Sequence, residues 1–332
     1  MCEMDDSGGV IMGKRMLLIV NPFSGKRQAR NVLFEILDTL CKEGWDPAVH
    51  ITQSRGDATL AAKAAEGLYD KVVCIGGDGT LNEMVSGLAQ WKATPSAGYI
   101  PSGTTNDFAA TLGFPKAPKE AALTAVNGEP FTCDIGRFDD RFFVYIAAFG
   151  AFTDVAYSTD QQAKNIFGRL AYLFQGALEL PSLQQGYHMK VECEDGVIED
   201  DFIFGAVSNS LSIGGFKGLP AEEIFLDDGE LEVLLVRMPK NAAELSELVT
   251  ALLGQQFGQH GVYFFKVRSV RFTCDRPVSW TLDGEDGGSR ETVSIACVPG
   301  AVTFAVGKRP ERKVETVAML ESPPAETDGS VG

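Results

Sequence analysis

The stretch Val72-Val73-Cys74-Ile75 followed by Gly76-Gly77-Asp78-Gly79-Thr80 constrains this chain more than any other. Four apolar residues read as a short buried strand, which opens onto a glycine turn and then a helix over Leu81 to Leu88. Glycines let backbone N–H groups approach phosphate oxygens without interference from a Cβ, and the start of the helix adds a favourable partial charge. Asp78 would repel a bare polyphosphate, so its presence points to magnesium bound to that polyphosphate. A tight turn with an Asp-Gly corner would explain a lone glycine pair, but it explains a five-residue block after a strand less well. The block is not a P-loop, because no GxxxxGK[ST] occurs and Gly25-Lys26 lacks both the upstream spacing and a following Ser or Thr. There is no GxGxxG fingerprint either.

Around this block, strand-like and helix-like segments alternate from Lys14. Met16 to Asn21 is a strand ending in Asn-Pro, and Arg27 to Glu43 places Val32, Leu33, Ile36, Leu37 and Leu40 at helical spacing. Ala48 to Thr52, Lys71 to Ile75 and Ala97 to Ile100 read as strands. Gly56-Asp57-Ala58 starts a second helix, and Thr105 to Leu112 reads as another. Such alternation predicts a parallel sheet covered on both faces, with ligands beyond the C-terminal strand edges.

After about Arg137 short strands dominate: Phe142 to Ala148, His188 to Glu192, Ile203 to Ser208, Leu231 to Val236, Val267 to Cys274, Val278 to Leu282 and Val293 to Cys297. Turn signals at Asp139-Asp140, Asp195-Gly196 and Asp228-Gly229 separate several of them. Helical patterns occupy Ile166 to Leu180 and Asn241 to Phe257, the second with Asn241 as its cap. The expected architecture is an α/β N-terminal domain over 14–136 and a mainly antiparallel β-sandwich domain over 137–300, with 301–310 returning to the first. Residues 1–13 read as a loose leader without signal-peptide order, and 311–332 as a disordered tail.

Composition narrows the partners. A formal net charge of −16 over 332 residues argues against nucleic acid, whose phosphate backbone needs clustered Lys and Arg. Seven cysteines without a CxxC pair read as reduced thiols in a cytoplasm, and three separated His disfavour a zinc site. No segment approaches the roughly 18 apolar residues of a spanning helix.

Several motifs in one order then define a resemblance. Asn21-Pro22-Phe23-Ser24-Gly25-Lys26 resembles the NPxSGK opening of the diacylglycerol kinase catalytic domain family. Gly76-Gly77-Asp78-Gly79-Thr80-Leu81-Asn82-Glu83 is similar to its GGDGTxNE block. Pro101-Ser102-Gly103-Thr104-Thr105-Asn106-Asp107-Phe108-Ala109 is similar to its PxGTxNDFA block. Cys133-Asp134-Ile135-Gly136, Leu226-Asp227-Asp228-Gly229-Glu230-Leu231 and Leu282-Asp283-Gly284-Glu285 continue the likeness to about residue 306. The family, which is related to sphingosine kinases, shares its general fold type with NAD kinases.

The resemblance implies ATP in the cleft between the domains. It would meet Asn21, Pro22, Ser24, Gly25, Thr52, Gly76, Gly77, Asp78, Gly79, Thr80, Asn82 and Thr104. On physics alone a strand-end Thr such as Thr52 is as often just that. Asp78 and Asp107 are the candidates for the catalytic magnesium environment, with helix capping the other reading of Asp107. By resemblance alone, Glu285 is the general base and a structural Mg²⁺ is held by the Asp228 carboxylate with main-chain groups of Phe225 and Glu230. Asp134 would link that ion to the active centre through solvent. The segment Pro220 to Phe225 departs from the PDAKxDDG pattern of bacterial relatives. Lys26 and Lys164 are candidate phosphate-contacting cations, and solvated surface lysines are the equal reading.

The implied activity is transfer of the ATP γ-phosphoryl group to a lipid hydroxyl, with diacylglycerol giving phosphatidic acid. Sphingoid bases and phosphatidylglycerol are the alternative acceptors. The implied protein is cytoplasmic, visits the membrane surface transiently and pairs as a homodimer. NAD kinase-like activity would need a PTGSTAY-type block, and phosphofructokinase-like activity a basic cluster; neither occurs. A non-catalytic sensing module on the same fold is opposed by intact Asp78, Asp107 and Glu285.

Overall fold

The computed structural model describes residues 14–103, 106–150, 186–210, 224–254, 258 and 260–307, without the side chains of 26–31, 107, 242 and 253. The expected helix over 166–180, the tails 1–13 and 311–332, Thr104, Lys164 and the departing segment 220–223 lie outside the described residues. So do the side chains of Lys26 and Asp107.

The first part alternates strand and helix. It runs β1 (Lys14–Val20), α1 (Gln28–Lys42), β2 (Trp45–Ile51), α2 (Asp57–Ala64), β3 (Lys71–Gly76), α3 (Asp78–Leu88), β4 (Ser96–Pro101), α4 (Asp107–Thr111) and α5 (Pro118–Asn127). β1 pairs in parallel with β2 and β3, and β3 with β4. Every residue of β3 is buried, because successive side chains enter two different cores. Val72 and Cys74 pack with Ala58, Ala62, Leu81 and Met84 of α2 and α3, whereas Val73 and Ile75 pack with Ile36, Leu40, Ala121 and Ala125 of α1 and α5. β2 begins before the expected Ala48 because Pro47 is tolerated at the edge of the sheet, where it need not donate to a second neighbour.

The remaining strands are β5 (Glu129–Phe138), β6 (Arg141–Phe143), β7 (Ile146–Gly150), β8 (Tyr187–Cys193), β9 (Gly196–Ser208), β10 (Leu231–Arg237), β11 (Val262–Val267), β12 (Ser269–Leu282) and β13 (Glu285–Val306), with α6 (Ala242–Leu253) before β11. Asn241 caps α6 as expected, its Oδ1 accepting from the N–H groups of Ala243 and Glu244 at 3.0 and 2.9 Å. β7 and β8 both pair with β9 and β12, so they share the slot between those two strands. Along β12, Val270, Phe272, Val278, Trp280 and Leu282 point into one core, where Trp280 meets Phe149 at 4.8 Å and Phe138 at 5.2 Å between ring centroids.

The strands join in one network, β11-β10-β9-β7-β12-β13-β4-β3-β1-β2, mostly antiparallel. β13 is the joint: its first half pairs with β12, while Thr303 and Phe304 pair in parallel with Ser96 and Ala97 of β4. From residue pattern alone this strand is expected only over Val293 to Cys297. Gly287, Gly288, Pro299 and Gly300 look like breakers, yet the register shifts near Trp280 and Val298 absorb them as bulges. Two expected strands, Val267 to Cys274 and Val278 to Leu282, are likewise one strand with a register shift. The expected Phe142 to Ala148 strand is instead broken after Phe143, for a reason given by the site.

At the floor of the parallel strands Lys71 is 8% exposed. Its Nζ donates to the Ala125 carbonyl at 2.8 Å and lies 5.6 Å from the centre of the Trp45 ring. Burial, helped by nearby Lys14, lowers this ammonium from the ordinary 10.5 to about 8. The folded state therefore binds this proton less tightly than the unfolded chain, so stability rises with pH between about 8 and 10.5 and is lost as pH falls through 8. Relative to Lys71→Met, the parent protein should gain about 3 kcal/mol across that window, read by urea unfolding at stepped pH. Parallel pH profiles for the two proteins would exclude this role for Lys71.

Candidate active site

The glycine block is tighter than expected. β3 continues through Gly76, Gly77 alone makes the connection as the helix cap, and Asp78 is already the first residue of α3. The expected helix start at Leu81 is thus three residues late, because Gly77 accepts the Leu81 N–H at 3.1 Å and closes the first turn. Gly76 has no room for a side chain, since a Cβ there would lie 2.4 Å from Thr80 Cβ. Gly77 and Gly103 pack back to back: a Cβ on Gly103 would approach Gly77 Cα to 2.6 Å. The two glycine-containing loops therefore form one floor.

Around that floor stand the residues of the first motif. Asn21 donates from Nδ2 to Thr80 Oγ1 at 3.0 Å and accepts the Phe23 N–H on Oδ1 at 2.9 Å. Ser24 Oγ donates to the Asn21 carbonyl and lies 2.6 Å from Ser102 Oγ. The Gly25 backbone is left-handed, at φ 53°. Thr52 hangs from the end of β1 through its N–H, 3.0 Å from the Val20 carbonyl. Val20, Pro22, Phe23, Leu33, Ile51, Thr52 and Gln53 line an adjoining cavity of about 300 Å³, mostly apolar. Glu83, the last residue of the block, is spent on structure: its carboxylate accepts the N–H groups of Gly56 and Ala58 at 2.7 and 3.2 Å and so caps α2, which lacks a side-chain cap of its own.

α4 is shorter than expected, starting at Asp107, because Asn106 is left-handed at φ 51° and binds back to Gly103. Asn106 Oδ1 also accepts from Tyr99 at 3.2 Å. The second-motif loop is thereby tied to the core of the sheet.

Glu285 reaches this floor from the other part of the chain. Its Oε1 lies 3.4 Å from where a Cβ on Gly79 would stand, which sets the carboxylate in van der Waals contact with the first turn of α3. Its Oε2 is 3.2 Å from Nη2 of Arg55, in the loop after β2. The acidic turn expected around Glu285 is in fact Asp283-Gly284, both left-handed at φ 50° and 81°, and Glu285 is the first residue of β13.

Asp283 sets that geometry, although its local sequence shows no more than a turn. It is 4% exposed and accepts the N–H groups of Val144, Tyr145 and Ile146 at 2.6, 3.0 and 2.9 Å. These donations break the strand after Phe143. Asn82 of α3 adds its Nδ2, at 2.7 Å from Asp283 and 3.2 Å from the Phe142 carbonyl. Beside the ATP contact expected of it, Asn82 has a structural part: its amide joins the two parts of the chain. Burial raises the Asp283 carboxyl, against the pull of its four hydrogen bonds.

The metal ligands expected at Asp228, Phe225 and Glu230 are met differently. Asp228 Oδ2 accepts from Lys266 Nζ at 2.6 Å and its Oδ1 accepts the Glu230 N–H at 3.1 Å. Phe225 turns its ring to the same ammonium, 5.0 Å away. Among the described residues no group of three or more His, Cys, Asp or Glu is arranged to hold a metal ion. The arrangement does not fit magnesium, because an ammonium already faces the one carboxylate ligand. Asp134 is held by the N–H groups of Gly229 and Gly300 at 2.6 and 2.7 Å, and burial raises it. Burial also pushes Glu232, opposite Lys266, up to about 8, against that ammonium's pull. The roles of Lys266, Glu232 and Arg55 are not legible in sequence, since nothing local marks a partner tens of residues away.

Comparison with known proteins follows the same division. The diacylglycerol kinase catalytic domain model matches residues 15–138, and the YegS C-terminal NAD kinase beta sandwich-like domain matches 147–306. A protein of Bacillus subtilis (strain 168) named diacylglycerol kinase is 35% identical over 278 residues, covering 83% of this chain and 91% of its own length. One of Staphylococcus epidermidis, with the same name, is 34% identical over 279 residues and is covered to 87%. A crystal structure of a diacylglycerol kinase from Bacillus anthracis (strain Sterne) superposes with a TM-score of 0.67 over 89% of this chain and 97% of that one, at 22% identity, a likeness of fold alone.

Removing Asp283 should strand three backbone donors and the Asn82 amide in the interior. Asp283→Ala should cost about 3–5 kcal/mol of stability in urea unfolding, and Asn82→Ala about 1.5–3 kcal/mol. The double variant should lose at least about 1 kcal/mol less than the sum, since both remove one contact. Additive losses would show that the two side chains do not act on each other.

Proposed function

The chain belongs to the diacylglycerol kinase family, and on that premise we propose that it is an ATP- and magnesium-dependent lipid kinase whose acceptor is diacylglycerol and whose product is phosphatidic acid. The observation that carries the reading is the meeting of Glu285 with Gly79. It brings a carboxylate from the second part of the chain to the first turn of α3, where a strand end, glycine backbone and helix start gather. That juxtaposition suits phosphoryl transfer, which needs a polyphosphate site and an acceptor-activating group side by side.

In this reading the nucleotide phosphates rest over Gly76 to Thr80 and beside Asn21, where backbone N–H groups and hydroxyls supply the contacts. The base and ribose fit the apolar cavity lined by Pro22, Ile51 and Thr52. Glu285 takes the proton of the lipid hydroxyl as its oxygen bonds the γ-phosphorus, and the bond from that phosphorus to the β-phosphate oxygen breaks to release ADP. Arg55 steadies the Glu285 carboxylate before the acceptor arrives. Magnesium brought with the nucleotide supplies charge neutralisation at the phosphates. Asp78 fits it by chemistry, as a hard oxygen donor at the first residue of α3, and Asp107 opens the neighbouring helix α4. The lipid is met at a membrane surface by a cytoplasmic protein; no helix among the described residues is long and apolar enough to cross a membrane.

The test is transfer of radiolabel from the γ-position of ATP to diacylglycerol, a sphingoid base or phosphatidylglycerol, each in mixed micelles. Diacylglycerol should be labelled fastest. Faster labelling of another lipid would reassign the acceptor, and labelling of none would overturn the lipid reading. Glu285→Gln should lower kcat by roughly 10²–10⁴ with little change in KM for ATP. Asp78→Asn should abolish transfer in a protein that still folds. An active Asp78→Asn variant would remove that residue from the chemistry.

A further inference from the structure

β10 and β11 are antiparallel neighbours, and Glu232 and Lys266 stand directly opposite each other in their register. Directly opposed residues share one face of the sheet. On the β10 side that face continues with Leu234 and Val236, which enter the large apolar core. Glu232 is 1% exposed, and neither of its carboxylate oxygens finds a hydrogen-bond partner among the described residues. A carboxylate so placed is costly without a neighbouring positive charge.

Lys266 supplies that charge. Its Nζ stands 3.8 Å from Glu232 Oε1 and 2.6 Å from Asp228 Oδ2, with the face of Phe225 at 5.0 Å. Two carboxylates and an aromatic ring thus surround one ammonium whose side chain is 24% exposed. A divalent ion on Asp228 would stand within a few ångströms of this ammonium, whichever oxygen it took, and like charges at that distance repel strongly. The corner where the family resemblance leads one to expect a structural metal therefore already has a cation built into the chain.

We propose that the Lys266 ammonium is the resident cation of this corner and that the folded protein needs no divalent metal there. Lys266 neutralises Asp228 at 2.6 Å and faces Glu232 at 3.8 Å. It thereby holds the Asp228-Gly229 turn, which in turn presents the Gly229 N–H to Asp134. The inference concerns folding and ion binding, so it stands or falls separately from the lipid-kinase reading.

The full chain, free of nucleotide, is melted in excess EDTA and in millimolar MgCl₂. The parent protein should unfold at the same temperature in both. Lys266→Met, which keeps length but removes charge, should melt at least about 5 °C lower in EDTA and regain part of that loss in MgCl₂, because Asp228 and Glu232 are then free for a hard cation. Lys266→Met combined with Asp228→Asn should lose the magnesium response. Should Lys266→Met fail to fold, Lys266→Arg keeps the charge and should fold with the same indifference to EDTA. A parent protein that loses several degrees in EDTA would overturn the proposal, as would a Lys266→Met variant that melts like the parent.

Discussion

One buried carboxylate organises the molecule. Asp283 accepts three consecutive backbone N–H groups and the Asn82 amide, and through them it fastens the β12–β13 hairpin to α3. Unpaired, those donors would each carry a desolvation cost, so the four bonds support one another. The consequence reaches the candidate site directly. Two residues beyond Asp283 the chain leaves its left-handed turn at Glu285, and the direction of that exit brings Glu285 over Gly79. The position of Glu285 is inherited from a buried neighbour.

The same hairpin explains how two differently built halves make one frame. β13 begins at the site beside Gly79 and ends against β4, whose neighbour β3 delivers the glycine block. A shift of one half against the other would have to shear ladder hydrogen bonds along that strand, a far stiffer connection than a linker with a few side-chain contacts. The glycine floor and the Glu285 carboxylate are therefore presented by a continuous set of strands.

How much of this could be read from residues follows from the range of each interaction. The strand–glycine–helix unit was legible because all its determinants lie within a dozen positions, and it was misjudged only by the three residues from Asp78 to Thr80 that wind into the helix. α5 was passed over although Pro118 opens it and Ala121, Ala122 and Ala125 form its buried stripe, because small residues give a weak periodic signal. β13 was cut short because Gly287-Gly288 and Pro299-Gly300 act as bulges only when a partner strand is present. Asn82 reads as a nucleotide contact, and nothing near it in sequence marks Asp283, the partner of its amide 201 residues away. Glu285 was found by resemblance alone, since in sequence it is one acid among several in a glycine-rich turn. Nothing around Lys266 marked it at all.

These long-range contacts share one chemical habit. With 45 acidic residues against 29 basic ones, the chain has too few side-chain cations to pair every carboxylate. It uses backbone N–H groups instead: three for Asp283, those of Gly229 and Gly300 for Asp134, and those of Gly56 and Ala58 for Glu83. Backbone donors cannot rotate away, so each such carboxylate becomes a fixed point tying together segments far apart in sequence. Side-chain cations meet acids at different kinds of place. Arg55, itself two-thirds exposed, pairs with Glu285, while Lys266 stands between Asp228 and Glu232. Backbone donors thus secure the rigid frame, and the mobile charges are left to the positions where a charge must be shielded or exchanged.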